Sequence, residues 1–277
     1  MDTRPIGVFD SGLGGLTGAK ELMKILPGED IIYFGDTGRV PYGSRSNEVI
    51  TRYAGQDVAL LLREQVKAVL CACGTVSSVA GDFLQARTPC PFYGVVRPAA
   101  AAAAAATRSG RIGVIGTSAT IRSGKFPAVL RELLPGAEVF TNPCPLFVPL
   151  VEAGHVELDD PITRPAAELY LAPFREAGVD TLIMGCTHYP ILAPIIDRYF
   201  GGAVTLIDSG REAADAIRRD LDRRGLLADE GREGSCRYLV TDSVEGFSQV
   251  AEIFLGREIR GSVEKIDIGV LEALPAL

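Results

Sequence analysis

Two stretches of this 277-residue chain are variants of one pattern. Residues 66–73 read VKAVLCAC and residues 179–186 read VDTLIMGC, aligning without gaps at an offset of 186 − 73 = 113. A second pair, IGVFDS at 6–11 and IGVIGT at 112–117, aligns at 112 − 6 = 106. Each stretch is a short β-branched run of the kind that forms a strand. In the first pair each run delivers a cysteine at its C-terminal end. Self-similarity of this kind predicts two related halves. Open α/β sheets present their ligand sites at the carboxyl ends of the strands. Related halves facing each other therefore bring Cys73 and Cys186 to one cleft from opposite sides.

The rest of the chain repeats the alternation. Strands are expected at Ile6–Phe9, Ile31–Phe34, Ala68–Cys71, Ile112–Ile115, Thr181–Met184 and Val204–Ile207, and helices at Leu13–Leu26, Asn47–Glu64 and Gly210–Gly225. The class is α/β, with mainly parallel sheets flanked by helices. The alanine tract 99–106 reads as a close-packed helix, because alanine has the highest helix propensity and Pro98 suits a first turn.

With 47% hydrophobic residues the chain can bury a large core. Its net charge of −7 argues against duplex nucleic acid or an anionic membrane surface as the main partner, which leaves a small molecule. No segment approaches the ~18 apolar residues of a membrane span and nothing at the N-terminus reads as a signal peptide, so the expected location is the cytoplasm. The six cysteines are then expected as free thiols. Zinc is the competing use of Cys71, Cys73, Cys186 and His188, but the C-x-C spacing is shorter than the usual two to four intervening residues.

Two thiols on opposite faces of one bound molecule suit the inversion of a stereocentre that bears an acidic C–H. One thiolate removes the proton from one face, and the other thiol returns one on the opposite face. An ordinary thiol has a pKa of ~8.5, so a working base needs a partner that favours the thiolate. His188, one of only two histidines, lies two residues after Cys186, and Asp10 ends the strand that heads the other half. Each has a plainer alternative: Asp10 as the cap of the next helix, and His188 likewise.

The segments GVFDSGLGGLT, YFGDT, VPYGSRS, GVIGTSATIRSGKF, CPLFVPLVEAG and GCTHYPIL, in this order and spacing, cover nearly the whole chain. They resemble the cofactor-independent glutamate racemases of the Asp/Glu racemase family, which make D-glutamate for peptidoglycan. The resemblance implies that Cys73 and Cys186 are the acid/base thiols, Cys73 assisted by Asp10 and acting on the D-enantiomer, Cys186 assisted by His188 and acting on the L-enantiomer. It also implies that Asp36 and Glu152 are further acidic residues of the active site. Ser11, Pro41, Tyr42, Gly43, Gly74, Thr75, Thr117, Thr120 and Thr187 match substrate-binding positions. Two pseudo-symmetric α/β domains around a central cleft, no cofactor, no metal and a homodimer complete what the resemblance implies. Combined with the repeat, the domains are expected at 1–97 plus 208–277, carrying Cys73, and at 98–207, carrying Cys186. The tail 240–256 then packs on the first domain.

One position departs from the family. The triplet after the first strand cysteine is Cys73-Gly74-Thr75, where the family has asparagine in the middle. Glycine lacks the amide donors and acceptor. If Gly74 merely deletes a contact, Gly74→Asn should lower KM for glutamate; if a water, or a substrate of a different shape, occupies the vacated space, the asparagine should collide with it.

Other chemistries fare less well. Gly12-x-Gly14 with Asp36 hints at a dinucleotide, but Thr17 stands where that fingerprint needs its third glycine. A pyridoxal phosphate enzyme needs a Schiff-base lysine, and none of the five lysines lies at a strand end beside a glycine-rich loop. Two alternatives within the same fold are a racemase of another acidic amino acid, such as aspartate, and a non-catalytic amino-acid-binding protein.

Overall fold

The computed structural model describes residues 2–229, 231–275 and 277. Its ten strands are β1 (Ile6–Asp10), β2 (Ile31–Gly35), β3 (Ala68–Cys71), β4 (Phe92–Gly94), β5 (Arg111–Gly116), β6 (Glu138–Pro143), β7 (Thr181–Met184), β8 (Thr205–Asp208), β9 (Cys236–Val240) and β10 (Val263–Lys265). They form two sheets whose described pairings are all parallel. One sheet has the order β10-β9-β2-β1-β3-β4, the other β6-β5-β7-β8.

The core of the first sheet, β2-β1-β3-β4, has the same order as the whole of the second. The sequence repeat therefore reflects topology: β5 takes the place of β1, and β7 that of β3. Parallel sheets are covered by helices on both faces, so their central strands read as continuous apolar runs. Every residue of β1, β2, β3 and β7 is buried accordingly. In each sheet the chain runs outward in one direction from β1 or β5 and in the other from β3 or β7. The gap between those two strands is a topological switch point, where loops diverge and leave a crevice at the carboxyl ends.

The expected helices form at Leu16–Ile25, Asn47–Arg63 and Ser209–Arg224. The first starts three residues late, because Gly12 to Gly15 form a turn against the other half. The alanine tract is the helix Val96–Ala106, and its buried Ala99, Ala100 and Ala103 let neighbouring helices approach. Helix Ser209–Arg224 packs on both Leu16–Ile25 and Val96–Ala106, tying the halves together at the side of the cleft. The tail forms helix Val244–Leu255, which lies on Leu16–Ile25. Sequence periodicity did not indicate β4, β6, β9 or β10, which are short or lie at or near the sheet edges. Among the described residues no helix is long and apolar enough to cross a membrane.

Candidate active site

The two switch points face each other across a cavity of about 430 Å³, within the range of small-molecule sites. Asp10 and Ser11 reach it from the end of β1, and Cys73, Gly74 and Thr75 from the end of β3. Thr117 arrives from the end of β5, and Cys186, Thr187 and His188 from the end of β7. Pro41, Tyr42, Gly43 and Glu152, also expected, line it as well. Among the described residues the lining holds no lysine or arginine, so carboxylates of a ligand would meet hydroxyls, backbone N–H groups and the His188 ring.

The surroundings of the two thiols differ. Cys73 is buried, and its thiol donates to Ser11 Oγ at 3.5 Å. Burial pushes its pKa up to about 12, reinforced by the carboxylate of Asp10 and opposed by the Ser11 hydroxyl and the N–H groups of Val76 and Ser11. Asp10 is itself raised, first by burial, against the pull of His188, the Gly15 and Gly12 N–H groups and the Cys73 thiol. Asp10 Oδ2 accepts from Gly12 N–H at 3.0 Å, whereas Oδ1 has no hydrogen-bond partner among the described residues. Helix Leu16–Ile25 has Gly15 at its N-cap, and Asp10 bonds the Gly12 N–H of the turn that leads into it.

Cys186 faces a histidine instead. Its sulfur lies 3.9 Å from His188 Nδ1, and His188 Nε2 lies 2.9 Å from Glu152 Oε1. Burial alone would lower the pKa of His188, but its hydrogen bonds to Cys186 and Glu152 and their charges outweigh that and lift it to about 10. The raised pKa holds the His188 ring as an imidazolium against the Cys186 sulfur. The His188 side chain makes no capping bond to the following 3-10 turn. Its ring meets that of Phe254 edge-on, with centroids 5.1 Å apart.

Two of the expected residues stand behind the wall. Thr120 is buried and hydrogen bonds to Thr117 Oγ1, which also pairs with Thr75 Oγ1 at 2.8 Å across the cleft. Asp36 is fully buried beneath Tyr42, whose hydroxyl donates to it. Arg39 links Asp36 at 2.7 Å to Asp57 at 2.9 Å, and the Thr241 hydroxyl donates to the other Asp36 oxygen at 3.0 Å. Asp36 thus holds the Tyr42 loop in place and does not face the cavity.

Position 74 is not an open socket. A Cβ on Gly74 would stand 2.0 Å from the carbonyl oxygen of Gly185. Backbone from the other half occupies the space that an asparagine side chain would enter, so a substitution there needs that backbone to shift.

Sequence reasoning passed over Phe254, Arg39, Asp57 and the contact role of Thr17. Asp57 had a readable signal, as a charged residue inside the predicted helix 47–64, whereas Arg39 lies between predicted elements and had none. Phe254 had none.

Fold and site define a two-domain α/β protein that presents two differently supported thiols to one cavity. Residues 24–217 match the Asp/Glu/hydantoin racemase family. A glutamate racemase of Geobacter metallireducens is 45% identical over 97% of this chain and 98% of its own. The glutamate racemase of Francisella tularensis, solved in complex with D-glutamate, superposes with a TM-score of 0.89 at 38% identity, covering 97% of this chain and 99% of that one. A glutamate racemase isoform of Bacillus anthracis gives a TM-score of 0.91 at 38% identity, with the same coverage. The chain belongs to the Asp/Glu/hydantoin racemase family, among its glutamate racemases, and is an amino-acid racemase.

Proposed function

We propose that the protein interconverts L- and D-glutamate without a cofactor, using Cys73 and Cys186 as the two acid/base groups. The observation that carries this reading is the placement of both sulfurs on one cavity, each with its own polar partner. In one direction the Cys186 thiolate, steadied by His188, takes the α-proton of the L-enantiomer, and the Cys73 thiol supplies a proton to the opposite face. In the reverse direction Cys73 starts as the base, with Asp10 receiving or sharing its proton. The hydroxyls of Ser11, Thr75, Thr117 and Thr187 and the backbone of Pro41, Tyr42 and Gly43 hold the carboxylates and amine. Glu152 orients His188, and Asp36 and Thr120 support the wall.

The same reading includes a homodimer, a cytoplasmic location and the supply of D-glutamate to peptidoglycan. It places one domain at 1–97 plus 208–277 and the other at 98–207, supported by the division of the strands between the two sheets.

A circular dichroism or chiral-chromatography assay on both enantiomers of glutamate and of aspartate, without added cofactor, tests the proposal. Racemisation of glutamate is the expected result. Turnover of aspartate alone would reassign the substrate, and binding without incorporation of solvent deuterium at the α-carbon would leave a binding protein.

A further inference from the structure

Residues 185–188 leave β7 of the second sheet and press against the first half on both sides. On one side, the Cβ position of Gly74 lies 2.0 Å from the Gly185 carbonyl oxygen and 3.0 Å from its carbon. On the other, a Cβ on Gly14 would lie 2.2 Å from Thr187 Oγ1 and 2.5 Å from His188 Cε1 and Nδ1. Thr17 donates its hydroxyl to the Thr187 carbonyl at 2.9 Å in the same buried contact. Cys73 directly precedes Gly74, and Cys186 directly follows Gly185.

We propose that Gly74 on one side and Gly14 with Thr17 on the other grip residues 185–188, and that this grip sets the separation of the Cys73 and Cys186 sulfurs. These three are positioning residues, and their effect on turnover rests on the racemase reading above. Carbon and oxygen in close non-bonded contact settle at about 3.3–3.6 Å, so a methyl at Gly74 must displace the Gly185 carbonyl by about 1.3 Å or more. Both obstacles are backbone and cannot rotate away. Nor can Gly185 retreat freely, since its N–H donates to Ile115 O at 2.8 Å and its own Cβ position is 2.8 Å from that oxygen. The displacement passes to Cys186 or pries the halves apart.

Racemisation is sensitive to that distance in a particular way. When the Cα–H bond breaks, the proton goes to one sulfur and the electron pair stays on carbon. The new C–H bond takes its proton from the other thiol, which becomes a thiolate. Removal and return on one face need a single correctly placed sulfur, whereas inversion needs both. Wider spacing therefore shifts the outcome from inversion towards same-face exchange, and a misplacement of about 1 Å can cost on the order of 100-fold.

The test follows each glutamate enantiomer in deuterated water and compares inversion with deuterium uptake under retention. This ratio does not depend on the fraction of folded protein. In Gly74→Ala it should fall by about 10- to 100-fold. Gly81→Ala is the control, because its Cβ position has no neighbour within 4 Å, and it should match the wild type. Thr17→Ala, which loosens the grip without adding bulk, should shift the ratio in the same direction and stands in if Gly74→Ala does not fold. Crystal structures of wild type and variant should show the sulfurs about 1 Å further apart in the variant. An unchanged ratio or an unchanged sulfur separation in the folded variant overturns the proposal. A wild type that does not racemise glutamate counts against the functional reading, and the sulfur separation still decides the spacing.

Discussion

His188 bridges Cys186 and Glu152, with Nδ1 3.9 Å from the sulfur and Nε2 2.9 Å from the carboxylate. Among the described residues Cys73 has no such bridge; its neighbours are the Ser11 hydroxyl and the buried carboxyl of Asp10. The two halves share a topology but support their thiols with different chemistry, and that asymmetry is measurable.

Cys73→Ser and Cys186→Ser should each lose most racemisation, since a serine hydroxyl is far too weak an acid to replace a thiol as base. Residual α-proton exchange in deuterated water should favour a different enantiomer in each variant. His188→Asn should impair the direction in which Cys186 begins as base more than the reverse, and Asp10→Asn should do the opposite. Equal losses in both directions for both helpers would assign them to the fold alone.

The pH dependence of stability should carry the mark of His188. Its folded pKa of about 10 lies above the ~6.5 of an unfolded histidine. Between these values the native state binds the extra proton, so stability falls as pH rises. The contribution is fully present below about pH 6.5 and is lost on passing through about pH 10. Thermal melts of wild type and His188→Asn across that window should diverge most at the acidic end. Parallel curves would place the proton elsewhere.

Arg39 faces two buried carboxylates, Asp36 and Asp57, at 2.7 and 2.9 Å. Arg39→Met leaves both without it and should cost ~3–5 kcal/mol of stability. Asp57→Asn should be much milder, because burial and the adjacent Asp36 already push the pKa of Asp57 up towards its neutral form. Urea titration reads both, and equal losses would contradict this ordering.

Phe254 reaches His188 from the tail helix. Phe254→Leu keeps apolar volume but removes the ring edge, so the fold should survive while turnover starting from Cys186 slows more than the reverse. Phe254→Ala adds a cavity and should also lower stability by ~3–5 kcal/mol. Progress curves from each enantiomer, with melts alongside, separate the two effects.

Much of this protein was legible in its residues. The apolar runs ending in Cys73 and Cys186 mark β3 and β7 because a strand covered on both faces must be apolar throughout. The repeat of those runs and of β1 and β5 announces two like halves, and the motif residues from Asp10 to His188 fall around one cavity. The edge strand β6 was not legible, since a partly exposed strand does not need a continuous apolar run. Asp36 and Thr120 read as cavity residues from their motifs, yet both face inward behind the wall, a difference of side-chain direction that spacing along the chain does not encode.

Sequence alone determined the class of fold and singled out two strand-end cysteines that line one cavity, because strand burial and residue chemistry are local properties of the chain. Tertiary structure decided the rest: that Phe254 touches His188, that Arg39 joins Asp36 to Asp57, and that Gly74 meets the backbone of Gly185 and has no room for a side chain. Phe254 with His188 and Gly74 with Gly185 join segments far apart in the chain, and their existence depends on how closely the two halves dock, a distance no local pattern records. Arg39 and Asp57 meet within one half, where the direction of each side chain decides the contact.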